Sequence, residues 1–387
     1  MNGTEPLRIK HHSLTGRIDI QLMHKAFKAV KKNRGVGGID RMTIPVYERQ
    51  LEQNLRGLMR EMKDGSFRPQ PTRRTYIDKG GGKMRPLGIP CVRDRVAQEV
   101  LRQLLTPLFE PLFHDQSYGF RPQRSCHDAL RKIDELHKQR YRFVLDADIT
   151  GFFDNIPHQI IMTGLRNVVA DGNILNLVES FLTAGVWEDG VVYPTTVGTP
   201  QGGVLSPLLA NIALNFLDWQ LDQAGYRFVR YADDFVILCR SKHRAEEALS
   251  LVQCVLQDLG LQLSPEKTVV AAFKEEFSFL GFTITHRARR MRPKAVENYK
   301  AKIRGLTIRS HNLDAQVIDR VNAVIRGVAQ YFSTDFATVT KQLTRLDRWT
   351  RVRIRSMKTK RIWRTDNYQL KNKYLRRMGL VSLTDFL

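Results

Sequence analysis

The segment that decides the fold is RFVRYADDFVILC, at residues 227–239. Its apolar and β-branched residues favour two short strands, 227–231 and 235–239, joined by a tight turn. Asp233 and Asp234 lie at that turn, between two strands that a core would bury. Turns favour Asp for local hydrogen bonds, so this pair alone is a weak indication of a functional site.

A second acidic segment, FVLDADI at residues 143–149, is also apolar apart from its carboxylates. In an extended strand Asp146 and Asp148 project from one face and their apolar neighbours from the other. Burying unpaired carboxylates is costly, so both segments require cations nearby. Mg²⁺ binds carboxylate oxygens and completes its shell with substrate phosphates. Together, the segments predict a site for two Mg²⁺ ions, about 4 Å apart, that supports phosphoryl transfer.

A third segment, GTPQGGVLSP at residues 198–207, leads into a predicted helix. Its glycines let the backbone approach a ligand closely, and Ser206 before Pro207 suits a helix start. A lone glycine-rich loop of this kind is more often a structural turn, so the segment matters here because of the two acidic strands.

The remaining pattern favours an α+β fold with an antiparallel sheet. Two β-prone segments, 72–77 and 85–89, predict a hairpin across Gly80–Gly82, and a glycine break at 35–38 interrupts an N-terminal helical stretch. The other predicted elements are helices at 92–105 (closed by Pro107), from Pro157, 173–183, 207–223 and 242–259, and strands at 142–148, 268–272 and 277–284.

The charge predicts a polyanionic partner. The 387 residues suit two or three modules, and 62 Lys and Arg against 39 Asp and Glu give a net charge of +23. The excess is concentrated towards the C-terminus, where residues 345–364 hold nine basic residues and one Asp. Because apolar residues still recur there at helical spacing, we expect a folded helical module.

Several protein classes are excluded by composition. The four cysteines form no CxxC pair or zinc spacing, which favours a reduced, intracellular protein. No apolar run has the roughly 18 residues that a membrane helix needs, and no signal-peptide core is visible. We therefore expect no membrane partner; the oligomeric state stays open.

These elements, in this order, resemble the reverse transcriptases, most closely those encoded by group II introns. The resemblance covers nearly the whole chain. The segments that carry it are GID (38–40), KMRPLGIP (83–90), RDRVAQ (93–98), SYGFRP (117–122), HDAL (127–130), DITGFFDNI (148–156), PQG (200–202), YADD (231–234), LGLQLSPEK (259–267), FLGF (279–282), VNAVIRG (321–327) and YF (331–332).

The resemblance implies a right-hand polymerase with fingers, a palm built on an antiparallel sheet, and an α-helical thumb. Residues 1–140 would form the fingers with an N-terminal extension, and residues 141–290 the palm, with a fingers-like segment of about 85–140 packing on it. Residues 291–387 would form the basic helical thumb, or maturase-like domain.

The resemblance also assigns roles to single residues. Asp148, Asp233 and Asp234 would be catalytic and would hold two Mg²⁺ ions, with Mn²⁺ as a substitute, and Ile149 would add its backbone carbonyl. Asp146 would be a structural or auxiliary acid. The residues expected to contact the dNTP are Lys83, Arg85, Phe153, Gln201, Gly202 and Lys267.

Within that set each residue has an expected function. Phe153 occupies the position of an aromatic steric gate against the 2′-hydroxyl, although an ordinary core Phe would show the same pattern. Lys83 and Arg85 would hold the triphosphate, as a point charge and a bidentate fork. Lys267 is a candidate for protonating the leaving pyrophosphate; a solvated Lys is the alternative.

The thumb would bind the RNA template and the RNA/DNA duplex through phosphates and shape, without reading sequence. The residues assigned to this contact are Arg345, Arg348, Arg351, Arg353, Arg355 and Lys358. A cognate intron or noncoding RNA is a further expected partner.

The expected function is RNA-directed DNA synthesis by two-metal-ion nucleotidyl transfer. One alternative is a domesticated, free-standing reverse transcriptase in phage defence or CRISPR adaptation. Another, of a different class, is an RNA-binding splicing maturase, and an RNA-dependent RNA polymerase is a weaker rival. No Cys/His cluster suits a zinc-bearing endonuclease, so we expect no endonuclease domain. The localisation expected from the resemblance is the bacterial cytoplasm, near the nucleoid.

Overall fold

The computed structural model describes residues 10–78, 84–363 and 365–387. The predicted hairpin tip at Gly80–Gly82 and the candidate Lys83 lie outside these residues. The chain divides into two compact units. The first comprises Met1–Ser125, Leu145–Leu238 and His243–Val269, and the second comprises Cys126–Val144, Cys239–Lys242 and Val270–Leu387. The division into fingers, palm and thumb stays a prediction.

The fold is mixed α and β, as the sequence predicts. The helices are α1 (Ile20–Asn33), α2 (Ile44–Glu48), α3 (Leu51–Asp64), α4 (Val92–Phe109), α5 (Cys126–Lys138), α6 (Phe152–Asn155), α7 (His158–Arg166), α8 (Gly172–Thr183), α9 (Ser206–Gln223), α10 (Lys242–Asp258), α11 (Pro293–Leu306), α12 (Ala315–Phe332), α13 (Thr340–Thr359), α14 (Asp366–Gln369) and α15 (Asn372–Arg377). The strands are β1 (Thr72–Asp78), β2 (Met84–Ile89), β3 (Phe143–Asp148), β4 (Val186–Glu188), β5 (Val191–Tyr193), β6 (Arg227–Tyr231), β7 (Asp234–Cys239), β8 (Val269–Ala272), β9 (Phe277–Phe279), β10 (Phe282–Ile284) and β11 (Arg289–Met291).

One sheet of the first unit has the strand order β2-β1-β4-β5. Strands β1 and β2 pair antiparallel, which confirms the predicted hairpin. Strand β1 also pairs with β4 in parallel, with Thr72 opposite Val186, a pairing that the sequence pattern did not predict. The sequence pattern missed β4 and β5 because each has three residues, too few for an alternation to be visible.

The two acidic segments lie in another sheet, of order β6-β7-β3-β8. Strands β6 and β7 form the predicted hairpin, in which Tyr231 pairs with Asp234 and the two loop residues are Ala232 and Asp233. Both strands are largely buried, which explains their apolar composition. The tight register fixes both aspartates at the end of the hairpin.

Helix α4 extends further than its sequence predicts. Pro107 was expected to close the helix, but it lies inside α4, which continues to Phe109. Pro107 has no N–H to donate to the carbonyl of Gln103, but the helix continues past it, and Glu110 N donates to Thr106 O at its end. The first half of α4 is almost entirely buried, so packing of Val96 and Val100 fixes the helix.

The second unit contains the three-stranded antiparallel sheet β11-β10-β9 and helices α5 and α11–α15. Strands β9 and β10 are joined by Leu280 and Gly281, whose φ angles of 47° and 80° suit a two-residue hairpin turn. Tyr299, Ile325 and Ile354 are among its buried core residues. Among the helices of the described residues, none is long and apolar enough to cross a membrane.

Candidate polymerase active site

The two acidic segments converge, as predicted. Strand β3 is adjacent to β7 in the sheet, so Asp146 and Asp148 lie beside the hairpin that carries Asp233 and Asp234. Burial and the carboxylates of Asp234 and Asp148 raise the pKa of Asp146 to about 7. This concentration of negative charge in one place is what a cation would relieve.

Asp233 is also affected by burial and by the charged groups around it. Burial raises the pKa of Asp233 and the Asp148 carboxylate adds to the rise, whereas a backbone hydrogen bond and the nearby cations Arg85 and Lys267 oppose it. Arg85, predicted to contact the triphosphate, is therefore close enough to act electrostatically on Asp233.

The Lys267 ammonium contacts the Asp148 carboxylate directly, at 2.9 Å from Oδ1 and 3.0 Å from Oδ2. The segment before Lys267 is attached to the end of β3 by two backbone hydrogen bonds on either side of Ile149. They run from Thr150 N to Gln262 O (2.9 Å) and from Ser264 N to Asp148 O (2.8 Å). A cation therefore sits on the carboxylate that would bind metal.

The carboxylates suit a divalent cation in charge and in donor type. The ammonium on Asp148 acts as a stand-in cation, and burial, with the neighbouring carboxylates as a smaller cause, raises the pKa of Asp146 and of Asp233. Across the part of the chain that the structure describes, no three His, Cys, Asp or Glu side chains are already grouped as a metal site.

A buried charge network that the sequence reasoning missed supports the hairpin turn. Arg230 Nε donates to Asp218 Oδ1 at 2.7 Å, and its NH1 donates to Asn211 Oδ1 and to Ala232 O, both at 2.9 Å. Arg230 and Asp218 are fully buried, and Asn211 nearly so. The hydrogen bond to its carbonyl holds Ala232, the residue before Asp233. Ala232 has a φ of 60°, which is unusual for a residue other than glycine.

Gly119 packs against the same turn. Asn211 Nδ2 donates to Gly119 O at 2.9 Å, and the backbone hydrogen bond from Tyr118 N to Arg230 O is 2.8 Å. A Cβ at Gly119 would lie 2.3 Å from Ala232 N, so only glycine fits. One sequence signal existed: Arg230 and Asp218 are charges inside an apolar strand and a largely apolar helix.

The GTPQGG loop (residues 198–203) brings together several residues that were predicted to contact the dNTP. Gln201 Oε1 accepts from Arg85 Nε at 2.7 Å, and Gln201 Nε2 donates to Asp154 Oδ2 at 3.1 Å. The backbone hydrogen bond from Gly88 N to Gln201 O is 2.8 Å. Gly202 has a φ of 112°, and a Cβ there would lie 2.7 Å from Gly88 O. Arg85, Gln201 and Gly202 are thus brought together.

Gln98, a second missed residue, fixes the other end of this loop. Its Oε1 accepts hydrogen bonds from Val204 N at 2.7 Å and Leu205 N at 3.3 Å, just before α9 begins. These backbone donors precede the first helical hydrogen bonds, so the Gln98 side chain performs the capping role that a local residue often has.

Phe153 lines a cavity of about 290 Å³ together with Gln201 and the β1 residues Thr72, Arg74 and Tyr76. The ring is half-buried, and it packs edge-on against Phe152 at 5.3 Å between centroids. Its backbone carbonyl accepts from Thr199 N at 2.7 Å, which ties it to the GTPQGG loop. The aromatic ring therefore lies at the wall of a cavity, and its role as a gate stays a prediction.

The six basic residues assigned to nucleic-acid contact differ in their surroundings on α13. Arg345, Arg348 and Lys358 are exposed and Arg351 is half-exposed. Arg353 donates to Thr307 Oγ1 at 3.1 Å and to Thr307 O. Arg355 is buried and hydrogen-bonded within the second unit. Two of the six thus hold the fold of this unit together.

Comparison with known proteins gives a family match for each of two segments of the chain. Residues 77–284 match reverse transcriptase (RNA-dependent DNA polymerase), and residues 296–378 match the group II intron maturase-specific domain. Protein YkfC of Escherichia coli (strain K12) is 33% identical over 294 residues, which cover 65% of this chain and 77% of YkfC.

The group II intron-encoded protein LtrA of Lactococcus lactis subsp. cremoris is 45% identical over 184 residues, 46% of this chain and 30% of LtrA. The chain thus matches less than a third of LtrA. Among solved structures, telomerase from Candida albicans in complex with a fragment of telomeric RNA has a TM-score of 0.46 at 15% identity, covering 87% of this chain and 66% of that one. The extent of the family matches and the similarity to YkfC establish that this chain is a member of the reverse transcriptase family that carries a group II intron maturase-specific domain.

Proposed function

We propose that this protein copies RNA into DNA at the end of β3 and the β6–β7 turn. Asp148, Asp233 and Asp234 would hold two Mg²⁺ ions, with Mn²⁺ as a substitute and the Ile149 carbonyl as a further ligand. The observation that carries the proposal is the convergence of these carboxylates, with one of them already paired to the Lys267 ammonium. The chemistry that such ions supply is activation of the primer 3′-hydroxyl and neutralisation of charge on pyrophosphate.

The chain's own residues would position the nucleotide. Arg85 can bind the triphosphate with its fork of donors: its Nε donates to Gln201, and its terminal nitrogens donate to no side chain or carbonyl among the described residues, so they could bind phosphate. Lys267 carries its proton at Nζ on a side chain that is 65% exposed, so it can reach a leaving pyrophosphate near Asp148. Phosphoryl transfer depends chiefly on such positioning and charge neutralisation.

Phe153 would select the sugar. Its ring lies on the wall of the cavity that Gln201 also lines, a position from which it would exclude a 2′-hydroxyl if the sugar bound there. The proposed substrates are therefore dNTPs on an RNA template. The exposed cations of α13 would hold the RNA/DNA duplex, with a cognate group II intron-like RNA as a further partner in the bacterial cytoplasm.

The test is primer extension by the full chain on an RNA template, with dNTPs and with rNTPs. We expect DNA synthesis by the wild-type protein and its loss, by a factor of about 10³ or more, in Asp233→Asn, because the carboxylate charge is removed from the reacting centre. Template affinity should stay near the wild-type value.

The matched control is Asp258→Asn, which removes the same charge from the exposed last residue of α10. It should leave synthesis unchanged. DNA synthesis retained by Asp233→Asn would refute the metal assignment, and preferential use of rNTPs would favour the RNA polymerase alternative.

A further inference from the structure

Three aromatic side chains near the C-terminus are exposed to solvent in the described part of the chain. Trp363 is 65% exposed, Tyr368 is 78% exposed and Tyr374 is 40% exposed. They belong to residues 360–378, which include α14 and α15 and which we call the aromatic surface. Exposed aromatic residues in a short stretch are uncommon unless they bind a partner.

The aromatic surface is also cationic. The Arg361 guanidinium lies 5.4 Å from the centre of the Trp363 ring, and the Lys373 ammonium lies 5.3 Å from that of Tyr374. These contacts order the rings next to positive charge. An apolar protein partner would leave these cations unpaired. A polyanion that carries flat apolar rings is complementary both to the cations and to the exposed aromatic side chains.

One buried acid fixes the surface and pairs with one of its cations, since Arg361 Nε lies 3.5 Å from Asp366 Oδ1. Asp366, the only Asp or Glu in residues 360–378, is almost completely buried. It accepts from the backbone N of Trp363 at 3.2 Å and from Thr359 Oγ1 at 3.1 Å. Asp366 therefore fixes the turn that presents Trp363, while the exposed charges of the surface are all positive.

A cavity of about 490 Å³ adjoins the same segment, between α13 and the start of α15. Its lining carries four cations and no acid: Arg348, Arg351, Val352, Arg355, Lys371 and Asn372. Arg355 is held in place because its Nε donates to Leu370 O at 2.8 Å and its NH2 to Asn372 Oδ1 at 2.6 Å. The cavity thus combines a fixed guanidinium with three further cations, a suitable environment for a backbone phosphate.

We propose that the aromatic surface and this cavity bind an unpaired segment of RNA, with phosphates in the cavity and bases stacked on the exposed rings. The inference rests on the proposed function for its partner, an RNA. It specifies an unpaired strand because bases in a duplex are already stacked on each other, whereas splayed bases are free to stack on aromatic side chains. Phosphate contacts alone would fit either form.

The test measures binding by the full chain to a labelled, unstructured oligouridylate and to a fully paired RNA hairpin of equal charge. The variant Trp363→Ala/Tyr368→Ala/Tyr374→Ala should bind oligouridylate at least about tenfold more weakly, since each stacked base contributes substantially to affinity. Its affinity for the hairpin should stay within about twofold, because the cations remain. Trp363→Phe/Tyr368→Phe/Tyr374→Phe should restore most of the binding.

The matched control is Phe216→Ala in α9, a helix without Lys or Arg, where Phe216 is 48% exposed. It should change neither affinity. Equal loss for oligouridylate and hairpin would overturn the inference in favour of a duplex grip, and no loss for either would exclude RNA as the partner of the rings. Primer extension by the wild-type protein, measured in parallel, tests the proposed function separately.

Discussion

The β6–β7 hairpin, which carries Asp233 and Asp234, rests on buried and paired charges, whereas the basic helix α13 exposes several of its charges to solvent. The hairpin turn is supported by Arg230 and Asp218, both fully buried and directly paired. On α13 the charges of Arg345 and Arg348 project into solvent. Chelating ions requires a fixed backbone, whereas attracting a polyanion requires only charge in roughly the right place. Single substitutions should therefore have large effects beneath the hairpin and small, additive effects on the helix.

The largest effect is expected for Arg230→Met. It leaves Asp218 buried without its partner, which should lower the free energy of unfolding by about 3–5 kcal/mol. Urea denaturation of the full chain measures this change. The matched control is Arg227→Met on the same strand, whose partner Asp222 is 3.6 Å away at the surface; it should cost about 1 kcal/mol or less.

A second variant separates loss of charge from loss of volume. Arg230→Met/Asp218→Leu removes both buried charges, so it should be more stable than Arg230→Met alone. If Arg230→Met destabilised the protein no more than Arg227→Met, the hairpin would not depend on the buried pair.

The contrast also explains which parts of the molecule the sequence could predict. The β1–β2 and β6–β7 hairpins follow from local alternation and turn residues, and the structure contains both. The Arg230–Asp218 pair was missed because it joins a strand to a helix, and local patterns carry no information on that register. Gln98 lies 106 residues from Val204, and Lys267 lies 119 residues from Asp148. Only the fold brings such pairs together.

Gln98→Leu tests the second buried support, beneath the GTPQGG loop. It removes the acceptor for the backbone N–H groups of Val204 and Leu205, which should cost about 1–3 kcal/mol of unfolding free energy. Because Gln201 lies in the same loop, primer extension should slow as well.

Gln103→Leu, on the same helix, is the control. Gln103 donates to Glu99, which keeps its two hydrogen bonds from Arg102. Similar losses in both variants would mean that the loop does not depend on Gln98.

Phe153→Ala should alter selectivity and leave stability nearly unchanged. Removing a half-buried ring from the cavity wall makes room for a 2′-hydroxyl, so discrimination against rNTPs should fall by about tenfold. Competition between dNTPs and rNTPs in primer extension measures it. Unchanged discrimination would assign Phe153 to core packing.

The smallest effects are expected on α13. Arg345→Gln/Arg348→Gln removes two exposed cations, so the slope of log affinity against log salt should flatten by up to about 0.9 per lost phosphate contact. Stability should not change. Arg353→Gln should lower stability and leave the salt slope nearly unchanged, because Arg353 is hydrogen-bonded to Thr307. Equal salt slopes in the wild-type protein and in Arg345→Gln/Arg348→Gln would contradict a duplex grip by α13.

The convergence of the aspartates is tested most directly by replacing Mg²⁺ with Fe²⁺ and mapping where hydroxyl radicals cut the chain. Cleavage should occur at the end of β3, near Asp148, and at the β6–β7 turn. It should be suppressed by added Mg²⁺ and lost in Asp148→Asn/Asp233→Asn. Cleavage confined to other segments, or unaltered in that variant, would contradict a divalent-ion site formed by these carboxylates.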